Sequence, residues 1–332
     1  MTYGFDYRVY QRPFRQPLLT HHGLWEVREG IVLKLTNDRG QVAYGEIAPL
    51  PWFGSETLEQ AIHFCRQLPG QLSEATLFSI MPTLPACQFG FETVFKNLNH
   101  RRLRHAQVPA PRCAALLPTG EAALSAWQPL WSLGHRTFKW KIGVAPLADE
   151  LRCLEALLGQ MPLGSKIRLD ANGGLDELTA RHWLDWCDRT NHRIEYIEQP
   201  LPPDQFSELL KLSRRYQTPI ALDESIASLE QLKTYYYRGW QGIYILKAAI
   251  IGSPHRLKQF CHHHPIDGVI SSVFETAIGR QAVIDLAMEL QDMMPHTAHR
   301  AMGLGTAQWL PSDGFNDGFN PASWDHFWQQ LS

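Results

Sequence analysis

The chain of 332 residues carries 31 lysines and arginines against 33 aspartates and glutamates, a formal net charge of −2 at pH 7. That balance, with the basic residues dispersed, argues against a nucleic-acid or membrane partner, and the 44% hydrophobic content supplies core for two domains or for one barrel with an appendage. The opening MTYGFDYRVYQRPFRQP is too polar for a signal peptide, no apolar run spans a bilayer, and the six dispersed cysteines form no CxxC pair, so a cytoplasmic protein with reduced, buried thiols is expected.

Residues 1–50 read as strands. Trp25–Leu35 and Gln41–Ile47 flank the polar turn Thr36-Asn37-Asp38-Arg39-Gly40 and predict a hairpin. Residues 56–67 are helix-like, with Ser55 or Thr57 as cap, and a second helix covers 85–98. The first 110 residues thus form a small α+β unit.

From about residue 113 the pattern changes to short apolar runs alternating with amphipathic segments. Strands are predicted at 113–118, 137–143, 166–172, 194–200, 219–225, 242–248, 267–273 and 297–303. Helices between them include 148–159, 176–190, 204–216 and 276–291. The CHHHP stretch at 261–265 fits a loop or helix end better than a metal motif, because consecutive histidines share no face. Eight strands separated by helices predict an α/β fold, a (β/α)8 TIM-type barrel over 111–312. An open doubly wound sheet is disfavoured, because no Gly-rich dinucleotide fingerprint follows any strand. Residues 313–332 are expected to pack back on the first domain.

Three successive strands end in acid: Asp170 in KIRLD, Glu198 in IEYIE and Asp223 in PIALD, each about one βα repeat from the next. Barrel strands open their C-terminal ends onto one shared mouth, so these carboxylates converge. Each acid alone could cap the following helix. Three together crowd negative charge, which protonation or a cation relieves. All-oxygen ligation favours Mg²⁺ over Zn²⁺, with Mn²⁺ as an alternative. Lys141 ends the preceding strand and Lys247 the following one, so two ammonium groups flank the acids, with room between them for a small-molecule carboxylate substrate. Burial and the neighbouring Lys139 are expected to bring Lys141 toward the range of a working base. Arg168, two residues before Asp170, points to the same interior.

KWK at 139–141, DAN at 170–172, EQP at 198–200, DES at 223–225 and the lysine of ILKAA at 245–249 together resemble the enolase superfamily. GEIAPLPWFGSET (45–57), RLDAN (168–172), SSVFETAIG (271–279) and MGLGT (302–306) make the chain similar, within it, to the o-succinylbenzoate synthase family of cyanobacterial type. The resemblance covers nearly the whole chain. It implies that the N-terminal unit caps the barrel through loops 17–25 and 50–55. It also implies a Mg²⁺-dependent β-elimination of water, with Lys141 as base and then acid and Lys247 stabilising the enolate. Asn172 would fix a ligand or the strand end, Arg168 would act as a partner of the acids or in catalysis, and Ser271, Ser272, Gly303 and Leu304 match places that meet a succinyl tail. An N-succinylamino-acid racemase or related epimerase of the same superfamily remains an alternative reading, since two opposed lysines suit two-base racemisation. A non-catalytic barrel is a weaker alternative. AHRAMGLGT lacks the DxD pair with which dipeptide epimerases hold an amino group. Oligomeric state is left open.

Overall fold

The computed structural model describes residues 2–20, 23–99, 112–190, 193–294, 300–306, 309–310, 328–329 and 331. The expected domain limits at 110/111 and 312/313, and residues 297–299 of the last expected strand, lie outside them.

The N-terminal unit is an antiparallel sheet ordered β3-β2-β1-β4, built from β1 (Thr2–Thr20), β2 (Gly23–Thr36), β3 (Val42–Ile47) and β4 (Gln71–Ser73). The expected hairpin is present, its turn closed by Asn37 Oδ1, which accepts from the amides of Arg39 and Gln41. Helix α1 (Leu58–Gln67) starts at Thr57, not Ser55. The Thr57 hydroxyl takes the Gln60 amide and the Gln60 side chain takes the Thr57 amide, a reciprocal capping box. The short α2 (Glu74–Phe78) follows β4 directly. Helix α3 (Pro85–Asn99) lies against the sheet, where Gly45 and Gly90 permit close approach. A Cβ on either glycine would come within 2.7 Å of a backbone oxygen, Gly90 O or Glu46 O. Trp328 packs against Tyr10 and Val32 of this sheet, with the Arg8 guanidinium 4.9 Å from its ring centroid.

The second part alternates β5 (Ala115–Leu116), α4 (Ala123–Ser132), β6 (Thr137–Lys141), α5 (Leu147–Gln160), β7 (Lys166–Asp170), α6 (Glu177–Cys187), β8 (Ile194–Glu198), α7 (Phe206–Arg215), β9 (Ile220–Leu222), α8 (Leu229–Tyr237), β10 (Ile243–Lys247), α9 (Pro254–His263), β11 (Asp267–Ser271) and α10 (Ala277–Leu290). The seven strands form one parallel sheet in chain order. The eighth position is filled by two single bridges, Cys113 with Met302 and Ser271 with Gly303. The amides of Ala114, Met302, Ser272 and Gly303 complete the ring through bonds of 2.7–3.0 Å. The fold is a capped TIM-type barrel, closed among the described residues by this short seam. The histidine run falls at the C-terminal end of α9.

Strand periodicity sorts side chains as the sequence requires. Phe138 and Trp140 are fully buried against the helices, while Lys139 and Lys141 turn into the barrel. Two inward layers result. Lys139, Arg168 and Tyr196 are register partners, and above them Lys141, Asp170 and Glu198. Tyr196, Ala221, Ile243, Ile245 and Val269 fill the barrel below the mouth.

The expected strands overran the observed ones by about two residues at their C-terminal ends. Asn172 (φ 45°) and Gln199 (φ 38°) adopt left-handed backbone there, which ends β-pairing and turns the chain over the mouth. No helix among the described residues is long and apolar enough to cross a membrane.

Candidate active site

A cavity of about 930 Å³ opens at the C-terminal ends of the barrel strands, beneath the N-terminal unit. Its wall includes Lys139, Lys141, Arg168, Asp170, Asn172, Glu198, Asp223 and Lys247, so both lysine strands and all three acids face one space. The acids do not cap the following helices. Asp176 caps α6, Ser228 caps α8, and α7 starts without a side-chain cap.

Lys139 Nζ bridges Asp170 Oδ2 at 2.8 Å and Glu198 Oε1 at 2.6 Å. Lys247 Nζ is paired with Asp223 Oδ1. Burial alone would lower the Lys139 ammonium, but Asp170, Glu198 and Asp223 outweigh it and hold it well above the ordinary lysine value. Lys139 thus faces the acids as their ion-pair partner, a relationship the sequence reading did not anticipate. Among the described residues the Lys141 side chain makes no hydrogen bond or ion pair. The residue borders the cavity.

Burial raises the Glu198 carboxyl, and the like charges of Asp170 and Asp223 add to it against Lys139 and Lys247. Glu224 is pushed up to about 7, by burial first and then by Asp223 and Asp170. Its Oε1 accepts from Asn172 Nδ2 at 3.1 Å, while its buried Oε2 has no partner among the described residues. Among the described residues no three carboxylate, histidine or cysteine side chains already close into a metal cage. The Lys139 and Lys247 ammonium groups instead sit on the carboxylate oxygens. The donor set nonetheless fits a hard divalent cation: oxygen ligands only, on adjacent staves, with an unsatisfied buried carboxylate oxygen beside them.

Gln199 was missed as a functional residue, although it stands in the EQP motif. Its side chain is wholly buried and saturated. Oε1 accepts the amides of Asp223 (3.0 Å) and Ser225 (3.2 Å), and Nε2 donates to Leu201 O and Ser225 Oγ, both at 2.9 Å. It fixes Asp223, which lies beyond the end of β9. Glu224 was likewise legible only as part of DES. A raised carboxyl is a three-dimensional property with no sequence mark.

The remaining sequence candidates divide. Arg168 borders the cavity but is committed elsewhere, with Nε to Glu195 Oε2 at 2.7 Å, Nη2 to Ala301 O at 2.6 Å, and its guanidinium 4.9 Å from the Tyr196 ring centroid. Arg300 binds Glu195 and Asp267 beside it, so the pair ties the seam to the barrel. Asn172 donates its amide to Asp170 Oδ1 at 3.1 Å and so orients that acid. Ser271 and Gly303 line the cavity. Ser272 lies past the strand end, so it escapes the alternation rule and also borders the space. Its hydroxyl donates to Glu275 Oε2 and meets Thr306 Oγ1. Leu304 is a correction: its side chain is fully buried in the core, and Gly305 and Thr306 form the wall there. Pro17, Leu18 and Trp25 from one expected loop, and Leu50 with Trp52–Gly54 from the other, roof the cavity. His21 and His22 of the first loop lie outside the described residues.

The sequence matches the Enolase C-terminal domain-like family over residues 122–315 and the MenC N-terminal domain family over residues 5–98. It is 45% identical over 308 residues to an o-succinylbenzoate synthase of Thermosynechococcus vestitus, covering 92% of this chain and 93% of that protein. A crystal structure of o-succinylbenzoate synthase from Thermosynechococcus elongatus BP-1, complexed with Mg in its active site, superposes with a TM-score of 0.89 at 41% identity, covering 99% of this chain and all of that one. The L-Ala-D/L-Glu epimerase of Bacillus subtilis shares the fold, with a TM-score of 0.75 at 20% identity over 94% of this chain and 92% of that one.

Proposed function

The chain belongs to the enolase superfamily and, within it, to the family of the o-succinylbenzoate synthases, and from that premise we propose the reaction and the residues that perform it. The reaction is the Mg²⁺-dependent syn β-elimination of water from 2-succinyl-6-hydroxy-2,4-cyclohexadiene-1-carboxylate, giving o-succinylbenzoate on the route to menaquinone or phylloquinone. The observation that carries the assignment of roles is Lys141, its side chain without a partner among the described residues, bordering the same cavity as Asp170, Glu198, Asp223 and Lys247.

Asp170, Glu198 and Asp223 would hold Mg²⁺, with Glu224 beside them. When bound, the cation supplies positive charge to the substrate carboxylate, whose α-proton is intrinsically only weakly acidic. Lys141 takes that proton. The electron pair of the broken C–H bond moves into the ring, the C–O bond to the neighbouring hydroxyl breaks, and Lys141 returns its proton to the departing oxygen. One residue thus serves as base and then acid, which requires both groups on the same ring face. Lys247, anchored by Asp223, stays charged and stabilises the electron-rich ring. The apolar roof of Leu18, Trp25, Leu50 and Phe53 excludes water while charge develops.

We further assign residues 1–110 to the cap, 111–312 to the barrel and 313–332 to a tail on the cap. We place the enzyme in the cytoplasm, without nucleic-acid or membrane partners. Following dehydration by the appearance of the aromatic product, with Mg²⁺ and then with EDTA, tests the reaction. Turnover that EDTA does not abolish, or no turnover with Mg²⁺, overturns it.

A further inference from the structure

The loop between β3 and α1 reaches across the mouth in a tight turn. The Phe53 amide bonds to Leu50 O at 2.9 Å and the Gly54 amide to Pro51 O at 3.0 Å, while Ser55 Oγ accepts the Leu50 amide at 2.6 Å. Gly54 has φ +101°, and a Cβ there would stand 2.9 Å from the Ala227 methyl. Glycine is therefore needed twice, for its backbone conformation and for the approach to the segment that follows Asp223. This seating delivers the Phe53 ring to the barrel: Lys247 Nζ lies 3.7 Å from its centroid. On another side the same ammonium is paired with Asp223, and only 12% of the lysine side chain is exposed. A desolvated ammonium this near an aromatic face is held by the ring quadrupole.

We propose that Phe53 is a positioning residue for Lys247, presented by the N-terminal unit, fixing the ammonium between an aromatic face and the Asp223 carboxylate. The proposal rests on the reading of Lys247 as the charged partner of the reaction. An ammonium on a flexible four-carbon stem stabilises developing charge only where it is already aimed. Asp223 alone supplies one anchor, and the ring supplies a second from the opposite domain. A barrel lysine is thereby made sensitive to the seating of a cap loop.

The test separates ring electronics from ring bulk. In enzyme shown first to be active, Phe53 is replaced by tyrosine, by leucine and by phenylalanines of increasing fluorination, which drain the quadrupole while roughly keeping the shape. Tyrosine is expected to retain kcat, leucine to lose about tenfold, and the fluorinated series to fall progressively, all with KM little changed. A kcat indifferent to fluorination, or losses confined to KM, overturns the proposal. NMR of lysine-labelled protein gives a readout independent of turnover: the ring-current shift at the Lys247 side chain should vanish in Phe53→Leu. Its absence in the parent protein also overturns the proposal. Inactivity of the parent with that shift present would instead overturn the reaction assignment and leave the contact standing.

Discussion

Lys139 and Glu198 meet across the barrel with β7 between their strands, Nζ to Oε1 at 2.6 Å, and the same ammonium holds Asp170 at 2.8 Å. The pair is buried enough that losing one partner strands charge. Lys139→Met is expected to cost about 3–5 kcal/mol of stability in EDTA. Mg²⁺ should recover part of it, because a cation can take over the counter-charge. Chemical denaturation in the two buffers measures both quantities. A variant as stable as its parent without metal would show that Lys139 is not the counter-charge.

Among the described residues the Lys141 side chain has no partner to lose. Lys141→Ala should therefore change stability by no more than about 0.5 kcal/mol while lowering kcat by roughly 10²–10⁴-fold or more. Near-normal kcat in a folded variant would remove the assignment of base to this residue.

Glu198→Gln is expected to weaken Mg²⁺ binding, read by calorimetry, because it withdraws an anionic oxygen from the set. Gln199→Met removes no proposed ligand but frees the Asp223 and Ser225 amides from their shared acceptor. It should weaken binding by about 10–100-fold. Unchanged affinity in Glu198→Gln would contradict the ligand assignment, and unchanged affinity in Gln199→Met the orienting role.

Glu195 gives the acid limb of stability a definite sign. Burial alone would raise its carboxyl, but Arg168 and then Arg300 overcome it and hold it below the ordinary value of 4.5. A carboxylate depressed by folding contributes fully above that ordinary value, and its contribution is lost as pH falls through the folded one. Melting temperature measured across the acid range should fall less steeply in Glu195→Gln than in the parent protein. Parallel curves would show that the cluster carries none of the acid sensitivity.

Much of this site was legible because two rules coincide in it. Strand alternation places Lys139, Lys141, Arg168 and Asp170 on one side, and parallel closure brings strand ends together. The cap helices were also readable, since Thr57 and Gln60 declare the start of α1. What escaped depends on partners distant in sequence. Lys139 looked like a second cation beside Lys141 because nothing local says that Glu198 will sit under it. Leu304 looked like a contact because its glycine neighbours do line the cavity. Over its described residues, 300–303, the expected last strand makes single bridges, and Gly303 packs so tightly on Ser271 that a Cβ would come within 2.8 Å of its hydroxyl. Closeness there replaces length of pairing.

Glu46 of β3 is fully enclosed and crosses to the barrel. It accepts from the Tyr10 hydroxyl in its own sheet and from the amides of Thr276 and Gly279 at the start of α10. The carboxylate rivets sheet to helix where the helix dipole is positive. Two bodies riveted there cannot swing apart like a jaw without breaking the bonds from Thr276 and Gly279 together. The roof segments around Leu18 and Phe53 take no part in that rivet, so their displacement would leave it untouched.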